Sequence, residues 1–274
     1  WAGQDSVVVC DLSLLKDTVD LPFSFFLKDF QIIKLDNRDE AMVGENNLCV
    51  SENYILVYGS VYELHPCRLF TKKGEFVTNI GAIGQGPGEY RAVYKAEIDE
   101  KHNCIYLMPF ANSNAIYVYD LAGKPLRSIP LHQSVSKAVF KVDADKRELT
   151  VGALPFTGYP FVAWVQDFEG HLLDSVPAAR HLSVLPDYSN EVMYGANTEV
   201  FDLYISTFFE LRPDTLYHYI RSESRLKPRF TLNIGDRKRS ITTFYELPQA
   251  YVGRLMVEEQ VGDGMWETKS PSNL

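Results

Sequence analysis

Two short stretches hold residues with binding chemistry. Arg91, Tyr94 and Lys95 follow a glycine-rich run, and Phe110, Asn112 and Asn114 follow the apolar run "CIYLMP". Planar rings beside side-chain amides and cations suit a ligand with flat apolar faces and polar edges, such as a sugar or a peptide. No catalytic constellation accompanies them. The sequence has no G-x-S-x-G, and its six histidines form neither H-x-H nor H-E-x-x-H. The acidic stretch "DNRDEAMVGE" offers Asp36, Asp39, Glu40 and Glu45 without EF-hand spacing, and reads as a solvated turn. The expectation is no catalytic residues, no metal ligands with local spacing and no cofactor. A late basic cluster, Arg221, Arg225, Lys227, Arg229, Arg237, Lys238 and Arg239, would suit an anionic contact surface. A solvated sheet edge that discourages strand-to-strand aggregation explains it better.

The glycine run itself, "IGAIGQGPGEY", raises the question of a phosphate cradle. Gly84 and Gly86 supply two positions of G-x-G-x-x-G, but Glu89 takes the third and would repel a diphosphate. No Gly-Lys-Ser/Thr follows. The run reads instead as a structural turn through Gly84, Gly86, Pro87, Gly88 and Tyr90, with glycine where φ is positive and proline fixing one φ between. Tyr90 reads as a packing residue and Arg91 and Lys95 as exposed.

The elements that position these residues repeat. "RLFTKKGEFVTNIG", "YVYDLAGKPLRSIP" and "WVQDFEGHLLDSVP" each hold two apolar runs around a short glycine turn. The turn glycines Gly74, Gly123 and Gly170 are 49 and 47 residues apart. A degenerate fourth copy, "LYHYIRSESRLKPRFTLNIG", turns at Ser222–Ser224 and ends at Gly235, leaving 39 residues beyond. Period-two alternation in "NAIYVYDLAG" predicts a strand, and an acid before a glycine predicts a hairpin turn. A further strand precedes each hairpin: "YILVYG", "CIYLMPF", "ELTVGAL" and "VFDLYISTFFEL". Four strands every forty to fifty residues is the pattern of β-propeller blades. The glycine run then falls between two blades, as a crossover. Sixteen Tyr and sixteen Phe suit strands.

With those elements in place, a resemblance emerges. "GEFVTNIG", "GQGPGEY", "AEIDEKHNCIYL" and "YVYDLAGKPLRSI" resemble the NHL-type β-propeller repeat, and more closely the six-bladed propeller lipoproteins of Bacteroidetes, many of them domains of unknown function. "LKDFQIIKLDNRDEAMVG" is similar to that family's lead-in segment, and "KPRFTLNIGD" to the end of a middle blade. The likeness spans roughly residues 25 to 235 and departs where NHL repeats carry an Asp after "IYL", since Met108, Pro109 and Phe110 stand here. It implies an all-β fold, a β-propeller of four-stranded antiparallel blades, with export to the periplasm or outer membrane of a Gram-negative bacterium. It also implies a lipid anchor on an upstream cysteine. Cys10, after "VVV", lacks the small residues such an anchor needs.

The remaining bounds are compositional. A net charge of −9 argues against a general nucleic-acid binder, which needs a basic surface, and leaves room for a local basic patch. No apolar run approaches the roughly eighteen residues of a membrane-spanning helix. Cys10, Cys49, Cys67 and Cys104 form no C-x-x-C; buried free thiols are expected, with a Cys49–Cys67 disulfide as the alternative. Leu12, Leu15 and Val19 at helical spacing suggest a short helix or an unstructured lead over residues 1–24, ahead of a propeller domain over 25–274. The functional expectation is a non-catalytic cell-envelope propeller that binds an envelope protein, a glycan or a peptide. The alternative is a propeller hydrolase or lyase with a calcium ion or other cation in the central channel, held by ligands from separate blades.

Overall fold

The computed structural model describes residues 6–14, 16–17, 20, 22–44, 47–59, 65–179, 182–195, 197–207, 214–233, 240–263 and 265–269. Leu15, Val19, Glu45, His181, Gly235, Arg237, Lys238 and Arg239 lie outside them. The chain divides into two compact units, residues 22–151 with 165–173, and residues 1–21 with 152–164 and 174–274. Its fold class is the one its repeats predict: all-β, with four-stranded antiparallel sheets of β-propeller blade type.

Strand β1 (Val8–Asp11) stands ahead of the repeats. The first blade holds β2 (Asn47–Val50), β3 (Tyr54–Tyr58), β4 (Cys67–Thr71) and β5 (Phe76–Ile80), paired in chain order. A crossover with two short parallel strands, β6 (Ala82–Ile83) and β7 (Glu89–Tyr90), leads to the second blade. There β8 (Val93–Asp99), β9 (Cys104–Pro109), β10 (Ser113–Tyr119) and β11 (Ile129–Val135) again pair in order. The third blade is β12 (Ala138–Asp143), β13 (Glu148–Ala153), β14 (Phe161–Asp167) and β15 (Leu172–Pro177). Its residues are divided between the two units. Ile116, Val118 and Tyr119 are all buried, because both faces of a blade are covered and strict alternation is blurred.

The fourth sheet holds β16 (Glu191–Met193), β17 (Asp202–Ser206), β18 (Asp214–Ile220) and β19 (Arg225–Asn233), with β1 added in parallel to β19. The structure differs here from the helix or unstructured lead expected over 1–24. Val8–Asp11 pairs with Phe230–Asn233, and Leu12–Leu14 form a 3₁₀ turn, while Leu15 and Val19 lie outside the described residues. Beyond it, β20 (Ser240–Leu247), β21 (Ala250–Gly262) and β22 (Met265–Lys269) form a three-stranded antiparallel sheet. Phe244 of β20 packs with Tyr204, Leu216 and Phe230.

One turn recurs in the first three blades. Thr71, Asp120 and Asp167 each accept backbone N–H bonds from the residues two and four positions on. The glycine three positions on donates back to each of them and takes φ of 87°, 83° and 90° at Gly74, Gly123 and Gly170. A Cβ on Gly74 would meet Lys34 O at 2.0 Å, one on Gly123 would meet Asn79 O at 2.4 Å, and one on Gly170 would meet Pro130 O at 3.3 Å. Each turn is therefore pressed onto an outer strand or its counterpart ahead of it.

Glu97 on β8 ties the second blade to β12, its Oε2 accepting the Val142 N–H at 3.1 Å. Burial pushes its carboxyl up to about 7; the Val142 N–H and the Lys141 and Lys95 charges oppose the shift, and Asp99 adds to it. The folded chain thus holds this proton more tightly than the unfolded one, so its contribution is complete below the ordinary carboxylate range and is lost as pH rises through about 7. Glu97→Gln keeps the acceptor and removes the buried charge. Urea melts at pH 8 should show this variant about 1–3 kcal/mol more stable than the parent. At pH 4.5 the two should coincide.

Candidate functional site

The candidate site lies at the end of the second blade where β9 turns into β10. The main-chain ladder is irregular there in three places. Val93 pairs with Pro109 and Lys95 with Met108, so Tyr94 is the extra residue of a bulge. A bulge re-aims a side chain, and bulges gather beside functional sites. Between β9 and β10, Ala111 and Asn112 take φ of 61° and 51° in succession. Two consecutive positive φ values on non-glycine residues are uncommon and mark a tight, strained turn. Ser113 pairs with Val135 but Ala115 with Pro130, so β11 departs from the ladder opposite Asn114.

These distortions bring side chains together. The Tyr94 and Phe110 rings lie 6.4 Å apart, tilted by 34°. Lys137, just beyond β11, sets its Nζ 5.6 Å from the Tyr94 ring and 5.7 Å from the Phe110 ring. That places a cation against two aromatic faces, with Lys137 only 3% exposed. Backbone bonds fasten the turn, Phe110 N–H to Ala92 O at 3.0 Å and Ala111 N–H to Ser136 O at 2.8 Å. Asn112, in the turn, and Asn114, on β10, are exposed. Arg91 is exposed three residues before Tyr94. Lys95 stands apart: it is half-buried and acts on Glu97 and Cys49 from another face of β8. Sequence reasoning missed Lys137. A lysine between two strands carries no signal until the strands are placed.

Ala111 occupies a conformation that costs an alanine about 1–2 kcal/mol and a glycine almost nothing. Ala111→Gly should therefore raise stability in a urea melt by about 0.5–1 kcal/mol, after the greater freedom of glycine in the unfolded chain is subtracted.

The glycine crossover is organised from inside. Gly81 and Gly88 have positive φ, 67° and 75°. Gly84 and Gly86 do not; they make room for Glu89, whose Oε2 accepts the Gly86 N–H at 2.8 Å and would lie 1.9 Å from a Cβ on Gly84. The Glu89 carboxylate thus sits where an anion would bind in a cradle. Tyr90 is buried against Tyr119, accepts the Cys67 N–H at 2.7 Å and donates to Ile80 O. Between this crossover and β10 lies a cavity of about 360 Å³, lined by Pro87, Gly88, Tyr117, Pro125, Leu126 and Ser128.

Several other reactive groups among the described residues are buried or paired. The four cysteines are free thiols. Burial pushes Cys67 up to about 12 and raises Cys49 and Cys104, which disfavours the thiolate. His218 on β18 pairs with Glu246 on β20, whose other oxygen accepts the Tyr251 hydroxyl at 3.3 Å. Among the described residues, no three His, Cys, Asp or Glu side chains converge as a metal site would require. No helix among them is long and apolar enough to cross a membrane.

Known proteins supply the remaining context. The family model described as "Domain of unknown function (DUF4934)" matches residues 7–255. A Bacteroides fragilis NCTC 9343 protein described as a "putative exported protein" is similar in structure, with TM-score 0.59 and 15% identity over 97% of this chain and 81% of that one. The WD40 β-propeller domain of Doa1 is similar at TM-score 0.42 and 12% identity, over 82% of this chain and 60% of that one. No curated protein matches.

Proposed function

The chain belongs to the family of the Domain of unknown function (DUF4934), and on that footing we propose that it is a non-catalytic binding module of the bacterial cell envelope. Its blades form a β-propeller of the six-bladed lipoprotein kind, and its second blade takes a glycan or a peptide of an envelope partner. The observation that carries this reading is the distorted end of that blade. A bulge, a tight turn with an alanine at positive φ and a broken ladder fall at Tyr94, Phe110, Asn112 and Asn114. Backbone strain of this kind persists only where the surroundings enforce it, and it gathers at ligand clamps. The two rings offer faces to apolar C–H groups, and the two amides offer donors and acceptors to hydroxyl or peptide edges. Export is supported by the likeness to a protein described as exported, and the upstream lipid anchor by the family resemblance alone.

Glycan and peptide arrays probed with the purified chain, followed by calorimetry on the best ligand, test the reading. Tyr94→Ala and Asn112→Ala should each weaken binding about five- to thirtyfold, since a well-placed contact of this kind contributes about 1–2 kcal/mol. Binding that survives both substitutions overturns the site. A chain that binds no array member and turns over a small ester or lactone overturns the function.

A further inference from the structure

The first three blades share a position at which the second one departs from the pattern. Two residues past each turn glycine stand Phe76, Pro125 and Leu172. Phe76 and Leu172 begin the outermost strands β5 and β15. In the first blade Phe76 pairs with Phe70, and the two rings meet edge to face with centroids 5.8 Å apart. In the second blade Pro125 pairs with Tyr119 in the same way, with a smaller ring and no N–H to give to a ladder. The outermost strand β11 starts only at Ile129, six residues past Gly123.

The cavity of about 360 Å³ opens at this departure, with both Tyr119 and Pro125 among its walls. Every wall residue belongs to the same compact unit. An apolar cavity of about 150 Å³ is enough to hold a benzene ring, so an aromatic side chain and its stem fit here. Pro87, Pro125, Leu126 and the Tyr117 ring give apolar walls, and the hydroxyls of Tyr117 and Ser128 give a few polar points for orientation. Lys124 and Arg127 are exposed on either side of Pro125 and Leu126, while the crossover's carboxylate, Glu89, is held by the Gly86 N–H. The surroundings therefore favour negative charge beside the ring. The cavity lies at the Tyr119 end of β10 and the candidate site at its Ser113 end, about 20 Å away along a seven-residue strand.

We propose that this cavity receives an aromatic side chain of a partner protein, presented on an extended segment with an acidic residue on each side of the ring. The first blade supplies such a ring from its own chain as Phe76, and the second leaves it to the partner.

The probe is a labelled synthetic peptide, acetyl-Gly-Asp-Ser-Phe-Ser-Asp-Gly-amide, titrated against the whole chain. Binding should bring new hydrogen-exchange protection at 86–90 and 117–128. Alanine in place of the peptide's phenylalanine should weaken binding about tenfold or more. Pro125→Phe puts the ring of the first blade into the second and should abolish binding. Lys124→Glu with Arg127→Glu, at two exposed positions, should abolish binding of this peptide and give binding to a version with lysine at both aspartate positions. This charge-reversed chain decides the matter if Pro125→Phe does not fold. A peptide that does not bind, that binds equally with alanine in place of phenylalanine, or that binds the charge-reversed chain or a folded Pro125→Phe chain undiminished overturns the proposal. Protection at 108–114 instead would assign the peptide to the Tyr94–Phe110 end of the blade and overturn it equally. So would a dimer seen by light scattering and dissolved by the charge reversal, which would assign the cavity to a second copy.

Discussion

Gly123→Ala should lower the free energy of unfolding by about 3–5 kcal/mol, a large share of what a domain of this size holds in reserve. Two costs add. At φ 83° the residue is left-handed, which costs an alanine about 1–2 kcal/mol that glycine avoids. The new methyl group would also lie 2.4 Å from Asn79 O. That oxygen is backbone on β5 and cannot rotate aside, so the turn or the strand must shift. Gly74→Ala carries the same pair of costs, with Lys34 O at 2.0 Å. Two other glycines calibrate the argument. Gly158 has φ 97° and nothing within 4 Å of a built Cβ, so Gly158→Ala should cost only the conformational part, about 1–2 kcal/mol. Gly170, 3.3 Å from Pro130 O, should fall between. Urea melts of the four variants should therefore rank by distance to the facing carbonyl. If all four lose the same amount, the turn glycines are needed for φ alone, and the close approach between successive blades contributes nothing.

The same glycines explain why the fold was legible in the sequence. The turn is local: Asp120 and Asp167 bond to backbone two and four residues on, and the glycine completes the loop within five residues. Its chemistry therefore repeats in the sequence as plainly as in space. β1 was not legible, because Val8–Asp11 becomes a strand only by pairing with β19, more than two hundred residues away, against a helical spacing in the residues after it. The three strands after Ser240 fell in a stretch with no glycine turn of the repeated kind. At the candidate site, the rings and amides could be read from composition, but what gathers them could not. The bulge at Tyr94 depends on the register of β8 against β9. Lys137 reaches the rings only because β11 ends beside them. The surroundings of Gly84 and Gly86 were hidden for a related reason: neither has a positive φ, and what faces both is the Glu89 side chain.

Gln166→Leu should cost about 2–4 kcal/mol, because this one side chain does the work of a strand partner. Gln166 on β14 is fully buried. Its Oε1 accepts the His132 N–H at 2.9 Å, and its Nε2 donates to Pro130 O at 2.7 Å and Asp167 O at 3.2 Å. His132 and Pro130 belong to β11, the outer strand of the second blade, so the amide satisfies backbone groups that β10 does not reach. Leucine fills the same volume and leaves that N–H and that carbonyl without the partner, at about 1–3 kcal/mol for each group so stranded. Gln166→Glu separates hydrogen bonding from packing. As a carboxylate, the new group still accepts from His132 but faces two carbonyl oxygens it can only repel. As a neutral acid, it donates to one of them. Burial and repulsion both raise its folded pKa above the ordinary carboxylate value, so its stabilising contribution is present at low pH and lost as pH rises through the folded pKa. Urea melts at pH 4.5 and pH 8 should show Gln166→Glu close to the parent at the lower pH and close to Gln166→Leu at the higher. Equal losses at both would mean that the buried amide acts by filling space, and that the second and third blades are joined without it.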